Sequence, residues 1–156
     1  MVEEIKKTKR APKRVLQAEK ERYVGSVGRR KAAIARVRLY PKECTSPFSE
    51  GDPFDVTVNG RPLLNYTSLS RLRKTAVAPF AAVGTAFKAT VRVTGGGITG
   101  QAEAIRLGIA RALIVINVAW RPRLKSLGFL RRDPRVVERK KPGLRKARRP
   151  QQWRKR

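Results

Sequence analysis

Two segments of the chain alternate between apolar and polar residues, which is the period of a β-strand with one buried face. The first covers residues 33–40, where Arg36 and Arg38 fall on the face opposite the small apolar residues. Pro41 is expected to end this strand. The second covers residues 87–94 and stops at three glycines. Both segments are therefore predicted to be strands.

A shorter alternation over residues 54–58 predicts a third strand, and Asn59-Gly60 directly after it marks a turn. The segment between the first and third strands, residues 42–53, is polar and contains prolines and a glycine. It is therefore interpreted as a loop.

Helical periodicity dominates residues 99–117, where apolar residues recur at spacings of three and four. Gly108 lies inside this helix and costs about 1 kcal/mol relative to alanine, and a close contact between helix and sheet is one explanation for it. A short helix is predicted at 121–127, with Pro122 near its start and Gly128 as its stop.

Between the third strand and the 87–94 strand, the apolar residues at 63–66 indicate a short helical turn. Ser68 or Ser70 could cap a helix that continues to about Val77. Pro79 is expected to limit it, because the residue before a proline disfavours the helical conformation.

These elements predict one small α+β domain over residues 23–130. Residues 1–22 have mixed charges and no period, so they are interpreted as a basic N-terminal extension. Residues 131–156 show neither the strand period nor the helix period, and they are interpreted as a basic tail. Without apolar residues to bury, the tail should be disordered on its own.

Charge points to the class of partner. The 156 residues carry a formal charge of +27, and residues 121–156 hold 16 Lys and Arg against only Asp133 and Glu138. A long cationic arm without a core needs a partner with dense negative charge, and nucleic acid backbone is the densest in a cell. The arm lacks the apolar face of a membrane-surface helix, so no membrane partner is expected.

Catalysis is disfavoured by what the chain lacks. It has no histidine and one cysteine, Cys44, which leaves no usual zinc site and no histidine-based acid or base. We therefore expect no enzyme activity, no metal, no cofactor and no small-molecule substrate. No apolar run approaches the length of a membrane span.

The glycine segment at residues 95–100 matches the dinucleotide-binding pattern G-x-G-x-x-G. The ribose-binding acid of that pattern is missing, because no Asp or Glu lies between Glu103 and Asp133. Two interpretations remain open: a turn whose backbone N–H groups hold an RNA phosphate at the helix start, or a tight strand–helix connection only.

Two basic runs are further candidates for phosphate contact. Arg29, Arg30 and Lys31 begin the first strand, where alternation sends them to different faces, and a solvated strand end is the alternative. The tail run at 139–149 is broken by Pro and Gly, which suits an extended thread along phosphates. Trp153 offers a surface on which a base could stack.

Several segments together resemble the bacterial form of the small-subunit ribosomal protein S-nine family. The resemblance covers about residues 23–156, and it is carried by GSVGRRKAAIARV (25–37), VNGRPL (58–63), VRVTGGGITGQAEAIRLGIARAL (91–113), LKSLGFLRRDPRVVERKKPGLRKARR (124–149) and the terminal Lys155-Arg156. It implies an α+β fold like the second domain of ribosomal protein S-five. It also implies binding to small-subunit rRNA in the head, beside neighbouring head proteins, and a long extended tail that contacts the anticodon stem-loop of peptidyl-site tRNA.

The resemblance also implies which residues bind. The rRNA-binding candidates are Arg29, Arg30, Lys31, Gly95, Gly96, Gly97, Gln101, Arg131, Arg132, Arg135, Arg139, Lys140, Lys141, Arg145, Lys146, Arg148 and Arg149. The tRNA-binding candidates are Arg154, Lys155 and Arg156, although Arg154 stands where the family more often has serine.

The resemblance implies a structural constituent of the ribosome in a bacterial cytoplasm, with an organellar stroma or matrix as the alternative compartment. Two other classes of function are the alternatives. A free-standing protein that compacts nucleic acid would have similar charge but no defined stoichiometry. An enzyme is the third class, and the missing histidines disfavour it.

Overall fold

The computed structural model of the chain describes residues 23–47, 55–153 and 155. The predicted N-terminal extension, Phe54, Arg154 and Arg156 lie outside the described residues. The elements in chain order are β1 (Val24–Arg30), β2 (Ala33–Pro47), β3 (Val56–Val58), β4 (Arg61–Pro62), α1 (Leu63–Tyr66), α2 (Ser70–Val83), β5 (Thr85–Thr94), α3 (Ile98–Ile116), a 3-10 turn (Val118–Trp120) and α4 (Arg121–Ser126).

The strands form one mixed sheet in the order β1-β2-β5-β3-β4. Neighbouring strands are antiparallel except β3 and β5, which run parallel. Strand and helix residues alternate or repeat as predicted in β2, β5, α3 and α4. The prediction of one small α+β domain is confirmed.

The core lies between one face of the sheet and the helices. The inward residues of β2, such as Val37 and Leu39, and of β5, such as Val91, are almost fully buried. They pack with Ile105, Ile109 and other residues of the same cluster. The residues between them on both strands face away from the helices, and none of the described helices covers this opposite face of the sheet.

A glycine pair sets how closely α3 approaches the sheet. A Cβ atom on Gly28 would lie 1.9 Å from the carbonyl oxygen of Ala104, and one on Gly108 would lie 2.5 Å from a methyl group of Val37. The Ser26 hydroxyl donates a hydrogen bond of 2.6 Å to the Gly108 carbonyl. The expected close contact at Gly108 is therefore present, and it requires a residue without a side chain on both elements.

Strand β1 was missed in the sequence because, after Val24, its inward positions are not large apolar residues. Ser26, Gly28 and Arg30 point towards the helices, whereas Val27 is 39% exposed on the open face. The alternation of apolar and polar residues therefore could not predict this strand. Pairing with β2 and the close approach of Gly28 to α3 hold this strand in place.

The prediction that Pro41 ends β2 was wrong. The strand continues to Pro47, and its pairing with β5 shifts register between Tyr40 and Cys44. Pro41 lacks a backbone N–H, and it lies in the short stretch that the pairing skips. The first half of the predicted 42–53 loop is thus strand, and residues 48–54 lie outside the described part of the chain.

The expected limit at Pro79 was also wrong, since α2 continues through it to Val83. A proline inside a helix removes one hydrogen bond and costs about 3 kcal/mol. Pro79 and its neighbour Phe80 are buried in the core, which offsets that cost. The helix ends instead at Gly84, whose φ of 80° suits a left-handed C-terminal residue.

Candidate nucleic-acid interface

The tip of the β1–β2 hairpin separates the three cations of the first basic run. Arg29 and Lys31 are exposed, whereas Arg30 is 8% exposed and points towards α3. Lys31 occupies the tight turn with a φ of 50°. The predicted split of this run between two faces is present, and it gives Arg29 and Arg30 different surroundings.

The glycine turn lies directly against this hairpin. Gly95 and Gly96 have φ values of 70° and 67°, in the left-handed region that favours glycine. A Cβ atom on Gly95 would lie 2.6 Å from the Ala32 carbonyl oxygen, and one on Gly96 would lie 2.8 Å from the Cβ of Ala33. Two motifs more than 60 residues apart in the sequence are therefore neighbours.

The Gln101 side chain is hydrogen-bonded to the backbone of the glycine turn. Its side-chain amide donates a hydrogen bond of 3.1 Å to the Gly95 carbonyl, and its Oε1 accepts one of 2.6 Å from the Tyr66 hydroxyl. Both ends of the side chain thus have protein partners. In this arrangement Gln101 positions the turn.

Gly97 differs from the two glycines before it. It is the N-cap of α3, with extended backbone angles, and a Cβ atom there would meet nothing within 4 Å. Among the described residues no side chain caps the helix start, and the first turn of the helix contains no acid. The positive end of a 19-residue helix is therefore open next to the glycine turn, which contacts the hairpin tip.

Arg30 forms a node that joins three parts of the chain. Its Nε donates to a Glu103 carboxylate oxygen on α3, and its Nη2 lies 3.0 Å from Asp133 Oδ2. Its Nη1 donates to the carbonyls of Asp133, at 3.3 Å, and Arg135, at 2.6 Å. The guanidinium thus fastens the start of the tail to β1 and α3.

Asp133 and Arg135 reinforce that node. The Arg135 guanidinium donates to both Asp133 carboxylate oxygens at 2.8–3.1 Å, and the Arg135 backbone N–H donates to Oδ1 at 2.9 Å. These hydrogen bonds, led by the side-chain one, hold the pKa of Asp133 far below its ordinary value, and the pKa of Arg135 is raised in return.

Beyond Arg135 the described tail, through Trp153 and Lys155, contains no helix or named strand. A single bridge between Leu144 and Pro150 closes a small loop, with the Arg145 N–H donating to the Arg149 carbonyl at 2.8 Å. This loop differs from the fully extended thread that the sequence suggested.

The tail cations are nevertheless available. Arg148 forms an ion pair of 2.6 Å with Glu138, which raises the pKa of Arg148. All the predicted tail cations within the described residues are exposed, and these are Arg131, Arg132, Arg135, Arg139, Lys140, Lys141, Arg145, Lys146, Arg148, Arg149 and Lys155. Trp153 is 80% exposed near them.

Within the described residues, no group of His, Cys, Asp or Glu side chains could hold a metal ion. None of the described helices is both long and apolar enough to cross a membrane. The described surface carries exposed cations, an open helix start and a tail whose backbone groups have few hydrogen-bond partners within the protein.

A comparison with protein families identifies the chain. A family model described as ribosomal protein S9/S16 matches residues 28–156, which include the hairpin tip, the glycine turn and the whole tail. The chain belongs to the ribosomal protein S9/S16 family. Membership implies a structural protein of the small ribosomal subunit, in a family that is typically not enzymatic.

Two residues of the node were not singled out by sequence reasoning. In the sequence Glu103 is only the last acid before a long acid-free stretch, and Asp133 is only one of two acids in the tail. The one signal in the sequence was that both acids border this acid-free stretch. In a chain with 38 Lys and Arg and 11 acids, an acid inside a basic segment is a candidate partner for a buried cation.

Proposed function

We propose that this S9/S16 protein binds rRNA in the head of the small subunit, and that the end of its tail contacts the anticodon stem-loop of peptidyl-site tRNA. The domain would resemble the second domain of ribosomal protein S-five and would contact neighbouring head proteins. The tail from residue 131 would extend along RNA. The compartment would be the cytoplasm of a bacterium, or an organellar stroma or matrix.

The observation that carries the rRNA proposal is the meeting of the hairpin tip and the glycine turn. The hairpin tip, with exposed Arg29 and Lys31, contacts the glycine turn that leads into the start of α3. Backbone N–H groups at a helix start bind phosphate, and arginine and lysine side chains add charge to that site. Arg30, Gly95, Gly96 and Gln101 would act by positioning this site, because each is already engaged within the protein.

The tail proposal rests on charge. Residues 139–156 contain ten Lys and Arg and no acid. From Arg135, where the node ends, a fully extended chain to residue 156 would span about 70 Å at roughly 3.3 Å per residue. If the loop at 144–150 opens, the tail can leave the domain and reach a distant phosphate backbone. Such contacts position a protein without reading bases.

The test is stoichiometric assembly. Purified chain is mixed with small subunits that lack it, and the mixture is sedimented at high salt, where non-specific phosphate binding is weakest. One copy per subunit, located in the head by a structure of the assembled particle, is the expected result. Binding without a fixed ratio, lost as salt rises, would instead indicate a free-standing protein that compacts nucleic acid.

A further inference from the structure

The open face of the sheet carries a second cluster of cations, which none of the predicted sites includes. Arg36 and Arg38 on β2 and Arg92 on β5 are exposed there. Arg29, on β1, shares the face because it pairs with Ile34. The face is therefore continuous with the hairpin tip that borders the glycine turn.

The strand register places two of these charges directly opposite each other. Arg36 pairs with Arg92 across the antiparallel β2–β5 ladder. Like charges in directly opposed positions destabilise a sheet. Neither guanidinium makes an ion pair or hydrogen bond with another described residue. Arg30 and Arg148, in contrast, each form an ion pair with a glutamate. The repulsion between the two guanidinium groups thus destabilises the free domain locally. An anion bound between the two side chains would remove this repulsion.

Arg38 is held in place beside this pair. Its guanidinium carbon lies 4.8 Å from the centre of the Tyr23 ring, which in turn lies 6.3 Å from the Tyr40 ring. The Tyr40 hydroxyl accepts a hydrogen bond of 3.0 Å from Thr90. Stacking on an aromatic ring leaves the N–H groups of an arginine free to bind, and it reduces the ordering needed on binding.

The surroundings suit a phosphodiester backbone. An open groove of about 740 Å³ runs along this face, and it is lined by the three arginines with the hydroxyl-bearing Thr57, Thr90 and Thr94. Arginine forks match phosphate oxygens, and threonine hydroxyls are common phosphate and sugar contacts. Asp55 is exposed near the other end of the face, before β3 and next to Lys88 in the register, and so lies away from Arg92.

The turn after β3 builds the floor of this groove at its glycine-turn end. The Asn59 side chain donates to the Val93 carbonyl at 3.1 Å and accepts from the Val93 N–H at 2.9 Å. These bonds extend the sheet where the backbone of the short β3 strand has ended. The arginines therefore stand on a rigid floor, which favours a defined binding geometry over a loose attraction.

We propose that the open face of the sheet, centred on the Arg36–Arg92 pair, is a second binding surface for the sugar–phosphate backbone of RNA. This inference rests on the proposed function as an rRNA-binding protein and adds a surface to it. The glycine turn and the open face would be two parts of one basic surface that meet at Arg29. Arg36 and Arg92 would grip adjacent phosphates, with Arg38 fixed beside them.

The test compares two double variants of equal charge in the full chain. Arg36→Gln/Arg92→Gln removes the opposed pair, while Arg71→Gln/Lys74→Gln removes two exposed cations from α2, on the other side of the sheet. Affinity for purified small-subunit rRNA is measured over a range of salt concentrations. Thermal unfolding of each free protein is measured in parallel.

We expect the sheet-face variant to bind about tenfold or more weakly near 0.1 M salt, with a salt slope shallower by roughly 1–2, because two phosphate contacts are lost. The α2 variant should bind much more like the wild-type protein. The sheet-face variant should unfold at the same temperature or higher, since a repulsive pair has been removed.

Equal affinity and equal slope in the two double variants would overturn the inference. Unchanged rRNA binding with reduced incorporation into subunits that contain the other head proteins would also overturn it, since the face would then meet a protein. Failure of the proposed function has a different signature: the wild-type chain itself would not sediment with the subunit at a fixed ratio.

Discussion

Arg30 and Arg36 lie on neighbouring strands of one hairpin, yet the fold treats their charges in opposite ways. Arg30 is 8% exposed and has two carboxylates and two carbonyls as partners. Arg36 is exposed and opposes another arginine. The comparison teaches that a net charge of +27 contains two populations: cations that build the protein, and cations that the protein leaves for an anion.

The largest effect is expected from removing a cation of the first kind. Arg30→Met would leave Glu103 and Asp133 without their common partner, and it should lower the free energy of unfolding by about 2–3 kcal/mol. Urea unfolding measures this loss. Arg30→Lys is the matched control, since it keeps the charge but cannot make the same set of directed hydrogen bonds. Its free energy of unfolding should lie between those of the wild-type protein and Arg30→Met.

The same variant should release the start of the tail. Amide exchange at residues 133–137 should become faster in Arg30→Met, while exchange in the centre of α3 stays protected. If both variants unfold at the wild-type urea concentration and the tail exchanges as before, the node does not hold the tail.

A smaller effect, on RNA and not on folding, is expected at Gly97. Aspartate is a good N-cap residue, and its side chain has free space here, so Gly97→Asp should leave the domain folded. Its negative charge would repel phosphate at the helix start, and it should weaken rRNA binding by about 1–3 kcal/mol. Gly97→Asn caps equally well without the charge and is the control.

Gly96 is unsuitable for that test, because a side chain there would strain the backbone and meet Ala33. The result against the phosphate site would be equal rRNA affinity in Gly97→Asp and Gly97→Asn. The glycine turn would then be only a connection between β5 and α3.

A still smaller effect is expected at the end of the tail. Removing residues 154–156 takes away three cations that would contact the tRNA backbone, and exposed phosphate contacts contribute modestly and in a salt-dependent way. Subunit assembly should be unchanged. The affinity of the peptidyl site for tRNA should fall by about 1–2 kcal/mol, with a shallower salt slope. An unchanged affinity and slope in truncated subunits would contradict the tRNA role.

The smallest effect concerns pH. The pKa of Asp133 is lowered in the folded chain, so its ion pairs stabilise the node fully above the unfolded value of about 3.9 and lose that contribution only as the pH falls further. Wild-type protein and Asp133→Asn should therefore differ in unfolding free energy by a constant amount from pH 5 to pH 8. The difference should shrink below about pH 4. A difference that varied between pH 6 and pH 8 would contradict this assignment.

Local patterns were enough to predict much of the fold. Alternation in β2 and β5 and the apolar repeat of α3 each depend on neighbours a few residues away, and each element was found. Strand β1 was missed because its inward residues include Ser26 and Arg30, whose burial depends on partners about 80 and 100 residues later. Pro79 was misjudged for a similar reason, since core packing supports it.

The candidate site divides in the same way. The basic run at the hairpin and the glycine turn were both recognised from sequence, but their contact through Ala32 and Ala33 is a tertiary fact. The basic face of β2 was also visible in the alternation of Arg36 and Arg38. Its opposition to Arg92 depends on strand register, which no local pattern specifies.

The node at Arg30 has a consequence for how the chain is made. Arg30 and Asp133 are 103 residues apart, and synthesis at about 5–20 residues per second separates them by roughly 5–20 s. Until residues 133–135 emerge, the nascent domain must carry an arginine with only part of its partners at the hairpin tip, beside the glycine turn. The segment that completes the domain is also the first part of the tail, so a chain that stops early lacks both the tail and the last bonds of its own fold.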